Sequence, residues 1–321
     1  MIQSYQCLSP VLFLTFNRLD TVKQTLEEIL KVNPPRIYLA SDGARLDKFT
    51  PNGLPEKEIV DEVREYLLAK LDSRPSVKTL FLEANLGCKL AVSQAISWFF
   101  SHEEEGIILE DDCLPTNSFF RFCDELLGLY RDEARVFLIS GFSGLDLMPG
   151  IKARMEADYF FTKYGHIWGW ASWANRWAKY EREIEDFEGH FRRLRFCNHR
   201  ERRYWHKILS SYNRGETDTW DYPWTYSAWK RGGLAIQPKN TLIKNIGLNR
   251  PDATHTTSPS PFESLPSYEI DFPLQKPGVI QPSRRIERAI FEAVFGGRQN
   301  LFYRLANKLS MKLWHKKIFW H

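Results

Sequence analysis

The stretch Ile107-Ile108-Leu109-Glu110-Asp111-Asp112-Cys113-Leu114-Pro115 decides how the rest of the chain reads. An apolar run climbs out of a core and ends in three consecutive carboxylates. Pro115, which has no N–H to give to a ladder, predicts the end of the strand. Three adjacent acids repel one another and are costly unless a cation or hydrogen-bond donors meet them. Mg²⁺ and Mn²⁺ take oxygen ligands of this kind, and Mg²⁺ needs only one or two protein carboxylates when substrate phosphates complete its shell. The stretch reads as a cation and diphosphate site at the carboxyl end of a buried strand. The alternative is a solvated acidic turn beside a helix N-cap.

What precedes the triplet favours the first reading. Val11–Phe16, Arg36–Ala40 and Val77–Leu82 are short apolar runs, each followed by polar residues and then by a helical pattern. With the strand ending at Glu110 they predict four strands alternating with three helices, hence a mainly parallel sheet with helices on both faces. Ligands of such sheets bind beyond the carboxyl ends of the strands. Those ends carry Asn17 and Arg18, Asp42, Asn85 with Gly87, and Glu110, Asp111 and Asp112. Neither G-x-G-x-x-G after the first strand nor G-x-x-x-x-G-K-[ST] is present, which speaks against dinucleotide and P-loop sites.

Downstream, a helix over about 117–130 and a strand over 136–141 complete this half. Residues 159–173 crowd aromatics and glycines without periodicity and predict an irregular wall. Residues 174–214 are predicted helical and highly charged, a solvated lid or face. A helix opens near Asp221 and ends at Gly232-Gly233, and Leu234–Gln237 predicts one more strand.

The 321 residues are 43% hydrophobic and 14% aromatic, enough for a sizeable core, and eight of the 11 Trp fall between Trp168 and Trp229. Aromatic platforms suit sugars and bases, but Trp also fills cores. Of the Trp168, Trp170 and Trp173 set, half is expected in the core and half in an acceptor wall. The five cysteines, Cys7, Cys88, Cys113, Cys123 and Cys197, form no C-x-x-C pair, so a reducing cytoplasmic setting is the simplest expectation. No signal peptide is expected in Met1–Phe16, and no apolar run is long enough to span a bilayer. Residues 283–321 hold nine Lys/Arg and two Glu, a net +7 that leaves −3 for the remainder of a chain whose total is +4. Such asymmetry points to a surface-binding tail rather than a nucleic-acid enzyme.

In order and spacing these motifs resemble the GT-A nucleotide-sugar glycosyltransferases, over roughly residues 10–256. The acid motif is similar to the Glu-Asp-Asp of the N-acetylglucosaminyltransferases that begin complex N-glycans; the D-x-D spelling usual in the family is absent. The resemblance implies a mixed, mainly parallel Rossmann-like sheet flanked by helices, with a nucleotide-sugar half (10–142) and an acceptor half (143–256). It also implies that Arg18 contacts the diphosphate, Asp42 the uracil or ribose, and that Asn85 and Gly87 line the nucleotide pocket. Asp112 would ligate Mn²⁺ or Mg²⁺ directly, while Glu110 and Asp111 hold ribose or metal-bound water.

Glycosyl transfer also needs a base for the acceptor hydroxyl and an oriented sugar. Asp221 is the expected base, set at a helix start between Trp220, Tyr222 and Trp224, an aromatic surround that raises a carboxyl's pKa. Its alternative role is a helix cap, with Asp218 and Glu216 next in line as base. His255, in a Thr-rich loop, is a candidate to complete the metal shell or touch phosphate, against an exposed loop histidine. His166 is expected to make a structural hydrogen bond. The expected activity is a metal-dependent, inverting transfer from a UDP-sugar to a glycan or lipid-linked sugar acceptor in surface polysaccharide synthesis. Competing readings are a nucleotidyltransferase acting on sugar phosphates and a non-catalytic carbohydrate-binding protein. Residues 257–282 read as a linker. The basic amphipathic tail 283–321 either lies on an anionic membrane at the inner face or packs its apolar side on the domain or a second subunit.

Overall fold

In the computed structural model, residues 5–49, 53–74, 76–248, 250 and 262–295 are described. The strands are β1 Val11–Thr15, β2 Ile37–Ser41, β3 Val77–Phe81, β4 Glu105–Glu110, β5 Cys113–Pro115, β6 Val136–Ser140, β7 Tyr159–Thr162, β8 Trp170–Trp173, β9 Leu234–Pro238 and β10 Ile243–Asn245. The longer helices are α1 Leu19–Lys31, α2 Glu56–Leu71, α3 Gly87–Phe100 and α4 Asn117–Tyr130. One-turn helices α5 Pro149–Lys152 and α6 Ala174–Trp177 follow, then α7 Phe187–Arg193, α8 His199–Asn213, α9 Asp221–Lys230 and α10 Arg284–Val294.

β1, β2 and β4 are buried along almost their whole length, so their sequences are continuous apolar runs rather than alternating ones. They form the parallel block β3-β2-β1-β4 of an eight-stranded sheet ordered β3-β2-β1-β4-β8-β6-β9-β7. The connecting helices α1 and α2 bury Val22, Leu26, Ile29, Val60, Val63 and Leu67 at helical spacing. Arg64 of α2 reaches the sheet edge, where it donates to the carbonyls of Ser41, Asp42 and Leu82 and ties the carboxyl ends of β2 and β3 together. The sheet is thus mixed and mainly parallel, with helices on its faces, as the sequence pattern implied.

The stretch 159–173 departs from expectation. It supplies two strands, and β8 is wedged antiparallel between β4 and β6, in the middle of the sheet. Its residues are buried on both faces, so no alternation marks it as a strand. Gly106 of β4 makes room nearby: a Cβ there would lie 2.3 Å from the Phe99 ring and 2.8 Å from the Pro10 carbonyl. The charged stretch 174–214 is three separate helices, and its inner side builds a further aromatic core with Phe187, Phe191, Trp205, Leu209 and Tyr212.

The segment expected as a linker runs along the core over its described part. Ile270, Phe272, Leu274 and Ile280 pack on the main apolar cluster, and Glu269 accepts hydrogen bonds from the backbone N–H groups of Asn117 and Ser118 at 3.0 and 2.8 Å, capping α4. The first helix of the tail, α10, buries Ile290 and Phe291 in the cluster around Trp205, so packing on the domain describes this part of it. The tail beyond Phe295 lies outside the described residues, where its membrane-facing alternative falls. Among the described residues no helix is long and apolar enough to cross a membrane, and all five thiols are free.

Candidate active site

β4 ends at Glu110, and the chain turns through Asp111 and Asp112 into β5, which pairs antiparallel with β10. This short second sheet holds the turn against the loop after β10: Ile246 N–H donates to the Asp112 carbonyl at 2.8 Å. Each acid of the triplet is placed differently. Asp111 is buried, and its carbonyl accepts from Thr25 of α1 at 2.9 Å. Asp112 pairs with the Arg18 guanidinium at 3.1 Å. Gly247 lies so close that a Cβ on it would sit 2.1 Å from Asp112 Oδ2. Burial first, then the charges of Asp112, Asp111 and Asp221, push the Glu110 carboxyl well above its usual range, with Arg18 opposing. Asp111 is raised by burial and by Asp112. Burial also raises Asp112, against the pull of Arg18.

These acids open onto a cavity of about 850 Å³ at the carboxyl edge of the parallel block. Arg18, Asp42, Asn85 and Gly87 line it from the ends of β1, β2 and β3, and Glu110, Asp111 and Asp112 from the end of β4. Asp221, Trp168 and Tyr222 line it as well. The structure therefore brings together every predicted site residue it describes. His255 lies outside the described residues.

Asp42 occupies the pocket in a way its sequence context did not reveal. It accepts from the backbone N–H groups of Gly43, Leu86 and Gly87 at 2.8, 2.9 and 3.0 Å and from Asn85 Nδ2 at 3.0 Å. With two bonds per oxygen, the carboxylate holds the β3–α3 loop in shape while lining the cavity. Burial still raises its pKa. The loop needs Gly87 in the left-handed region, at φ +78°, and Asp218 leans on it: a Cβ there would meet Asp218 Oδ2 at 2.9 Å. Asp218 also accepts from the Lys89 N–H at 3.2 Å, an acceptor for the N-terminus of α3 supplied from 129 residues away.

Asp221 is the first residue of α9. Its Oδ1 accepts from the Thr219 hydroxyl and, at 2.9 Å, from the Tyr222 N–H. Behind it the aromatic residues divide. Trp170, Trp177, Trp220 and Trp224 nest together, with Trp170 and Trp220 stacked at 5.7 Å and Trp177 and Trp224 tilted against each other at 5.1 Å. They are core, as is Trp173, whereas Trp168 is half-buried and faces the cavity. His166 makes no side-chain hydrogen bond at Nε2, contrary to the structural bond expected. It lies against Phe142 at 4.6 Å, and burial pushes its pKa down to about 4, leaving it neutral.

Gly247 and Asn245 were not singled out in the sequence, whereas Asp218, next in line as base, is found bracing the β3–α3 loop. Only the first hinted at its place, since Asn245-Ile246-Gly247 is turn chemistry. Among the described residues no group of three or more His, Cys, Asp or Glu side chains is disposed to hold a metal ion by itself.

No family model matches the chain, and no curated protein matches it. Among solved structures it is similar to GalNAc-T7 crystallised with UDP, GalNAc and Mn²⁺, at 12% identity and a TM-score of 0.42, over 73% of this chain and 43% of that one. It is also similar to the apo form of WbbM, a bifunctional glycosyltransferase, at 9% identity and a TM-score of 0.33, over 71% and 38%. The chain thus spans less than half the length of either, and likeness at this level carries no inference about its chemistry.

Proposed function

We propose that this protein is a glycosyltransferase that uses a nucleoside diphosphate sugar, UDP-linked, with Mn²⁺ or Mg²⁺ held at Asp112. The observation that carries the reading is the meeting of Arg18, the Glu110–Asp112 turn and Asp221 in one cavity at the carboxyl edge of the sheet. Burial raises all three acids of the turn, neighbouring carboxylates raise Glu110 and Asp111 further, and Arg18 is the cation paired with Asp112. A diphosphate alone would worsen that balance, whereas a hard divalent cation together with it corrects the charge, and the donor set is the all-oxygen one such cations prefer. When bound, the cation supplies counter-charge to the departing diphosphate.

The remaining roles fall to the chain. Arg18 moves its guanidinium between Asp112 and phosphate oxygens, which it can grip bidentately. Asp42, Asn85 and Gly87 hold the loop against which the nucleoside rests, with Asp42 acting through that loop. Asp221, oriented by Thr219 and the Tyr222 N–H, takes the proton from the acceptor hydroxyl on the side opposite the diphosphate, which gives inversion. Trp168 and Tyr222 form the apolar wall for the acceptor, a glycan or lipid-linked sugar. Free thiols throughout suit a cytoplasmic setting.

Thermal shift with UDP, GDP, CMP and CTP, each with and without Mn²⁺, tests the reading. UDP with Mn²⁺ is expected to raise the melting temperature and UDP alone to do little. Stabilisation by CTP with no response to any nucleoside diphosphate would favour transfer of a nucleotide, and no response at all would end the reading.

A further inference from the structure

Helix α8 carries an array of cations that the donor cavity does not use. Arg200, Arg203, Lys207 and Arg214 recur at spacings of three, four and seven residues, which places them within about 60° of arc on one face. They line an open hollow of about 630 Å³ with Tyr204, His206 and Ser210, and among the described residues no carboxylate lines it. The opposite face buries Trp205, Leu209 and Tyr212, so α8 cannot rotate to hide the charge.

Neighbouring elements widen the basic face. α7 packs on one flank through Phe191 and His206, 5.1 Å apart, and ends in Arg192 and Arg193. α10 packs on the other through Phe291 and Tyr204, 5.7 Å apart, and begins with Arg284 and Arg285. The acids nearby neutralise only part of it, chiefly Arg214. Glu201 and Glu287 are buried beneath, and Glu188, Glu216 and Glu292 are paired with His206, Arg214 and Arg288. Arg192, Arg193, Arg203, Lys207, Arg284 and Arg285 make no ion pair among the described residues.

We propose that this face of α7, α8 and α10 is the docking surface for a bilayer leaflet rich in anionic phospholipid. Charge complementarity selects a polyanion, and arginine forks match phosphate headgroups. The sequence beyond Phe295 selects a membrane over a nucleic acid. Its 26 residues add six Lys/Arg and no acid, interleaved with Leu301, Leu305, Leu309, Leu313, Trp314 and Trp320. Apolar side chains and Trp gain from an acyl–headgroup boundary, which a nucleic acid does not provide. The inference is independent of the sugar-transfer reading.

The test is co-sedimentation of the full-length protein with vesicles of pure phosphatidylcholine or of phosphatidylcholine with phosphatidylglycerol, at low and high salt. Binding is expected only to the anionic vesicles and is expected to weaken with salt. Each Lys or Arg at the surface contributes roughly fivefold in partitioning. Arg203→Glu/Lys207→Glu/Arg285→Glu should therefore lower partitioning more than a hundredfold with the melting temperature unchanged. The matched triple Lys48→Glu/Lys179→Glu/Lys244→Glu, of equal charge change elsewhere, should bind far better. Equal loss in both triples, unchanged binding in the first, or binding to a single-stranded oligonucleotide in preference to anionic vesicles would each overturn the proposal.

Discussion

Gly247 has no side chain, and Asp112 fills the place where one would sit. Gly247→Ala therefore has to displace the carboxylate or the loop. It is expected to weaken UDP–Mn²⁺ binding at least tenfold by calorimetry with the circular dichroism spectrum unchanged, as Asp112→Asn should do directly. Asp221→Asn should leave that binding nearly intact and lower turnover about 10²–10⁴-fold, the usual loss for a general base; donor affinity falling as far as in Asp112→Asn would remove Asp221 from that role. The triplet also sets a pH signature. A carboxyl whose folded pKa lies above its unfolded value favours folding fully below the unfolded value, and that contribution is lost as pH rises through the folded one. Glu110 is such a group. Without metal, Glu110→Gln should melt higher than the parent protein at alkaline pH, where Glu110 is ionised, by about 2–4 °C per kcal/mol relieved, and the gain should shrink as the pH falls and Glu110 takes up its proton. The acids and Arg18 were legible in the sequence because each ends an apolar strand, a local signal. The close approaches of Gly247 to Asp112 and of Asp218 to Gly87 were not, since each joins residues more than 100 apart in sequence.

At the scale of elements, α9 carries Asp221 on its first turn and rests on the tryptophan nest. Trp224 is 1% exposed and touches Trp170 and Trp177. Trp224→Ala should cost about 3–5 kcal/mol in urea unfolding and lower turnover as well, because Asp221 would lose its platform; loss of stability with full activity would separate the nest from the site. β1 to β4 and the helices between them were readable from apolar runs and 3.6-residue periodicity. β8 was not. A short strand enclosed on both faces shows no alternation, and its aromatics read equally well as a wall. Asp42 shows the same limit in chemistry: its place at a strand end was legible, but its saturation by the β3–α3 loop depends on contacts with residues 43 to 45 positions later.

For the whole molecule, α10 closes the aromatic cluster over Trp205, with Ile290 at 0% and Phe291 at 3% exposure. Deleting residues 283–321 exposes that cluster. At about 1.5–3 kcal/mol for each large apolar side chain, the two account for roughly 3–6 kcal/mol, so the truncated protein should melt markedly lower; an unchanged melting temperature would show that α10 contributes nothing to the fold. The position of β8 reaches further. Until residues 170–173 arrive, β4 is an open edge bearing Ile107 and Ile108 and β6 has no neighbour on that side. A nascent chain that has delivered the parallel block must wait for about 60 more residues before the middle of its sheet is sealed, and exposed strand edges recruit other chains. The two halves of the sheet are therefore not separable modules. A fragment ending at Phe142 should aggregate when expressed alone, and adding the segment through Trp173 should not restore solubility unless β9, the parallel partner of β6, is present as well.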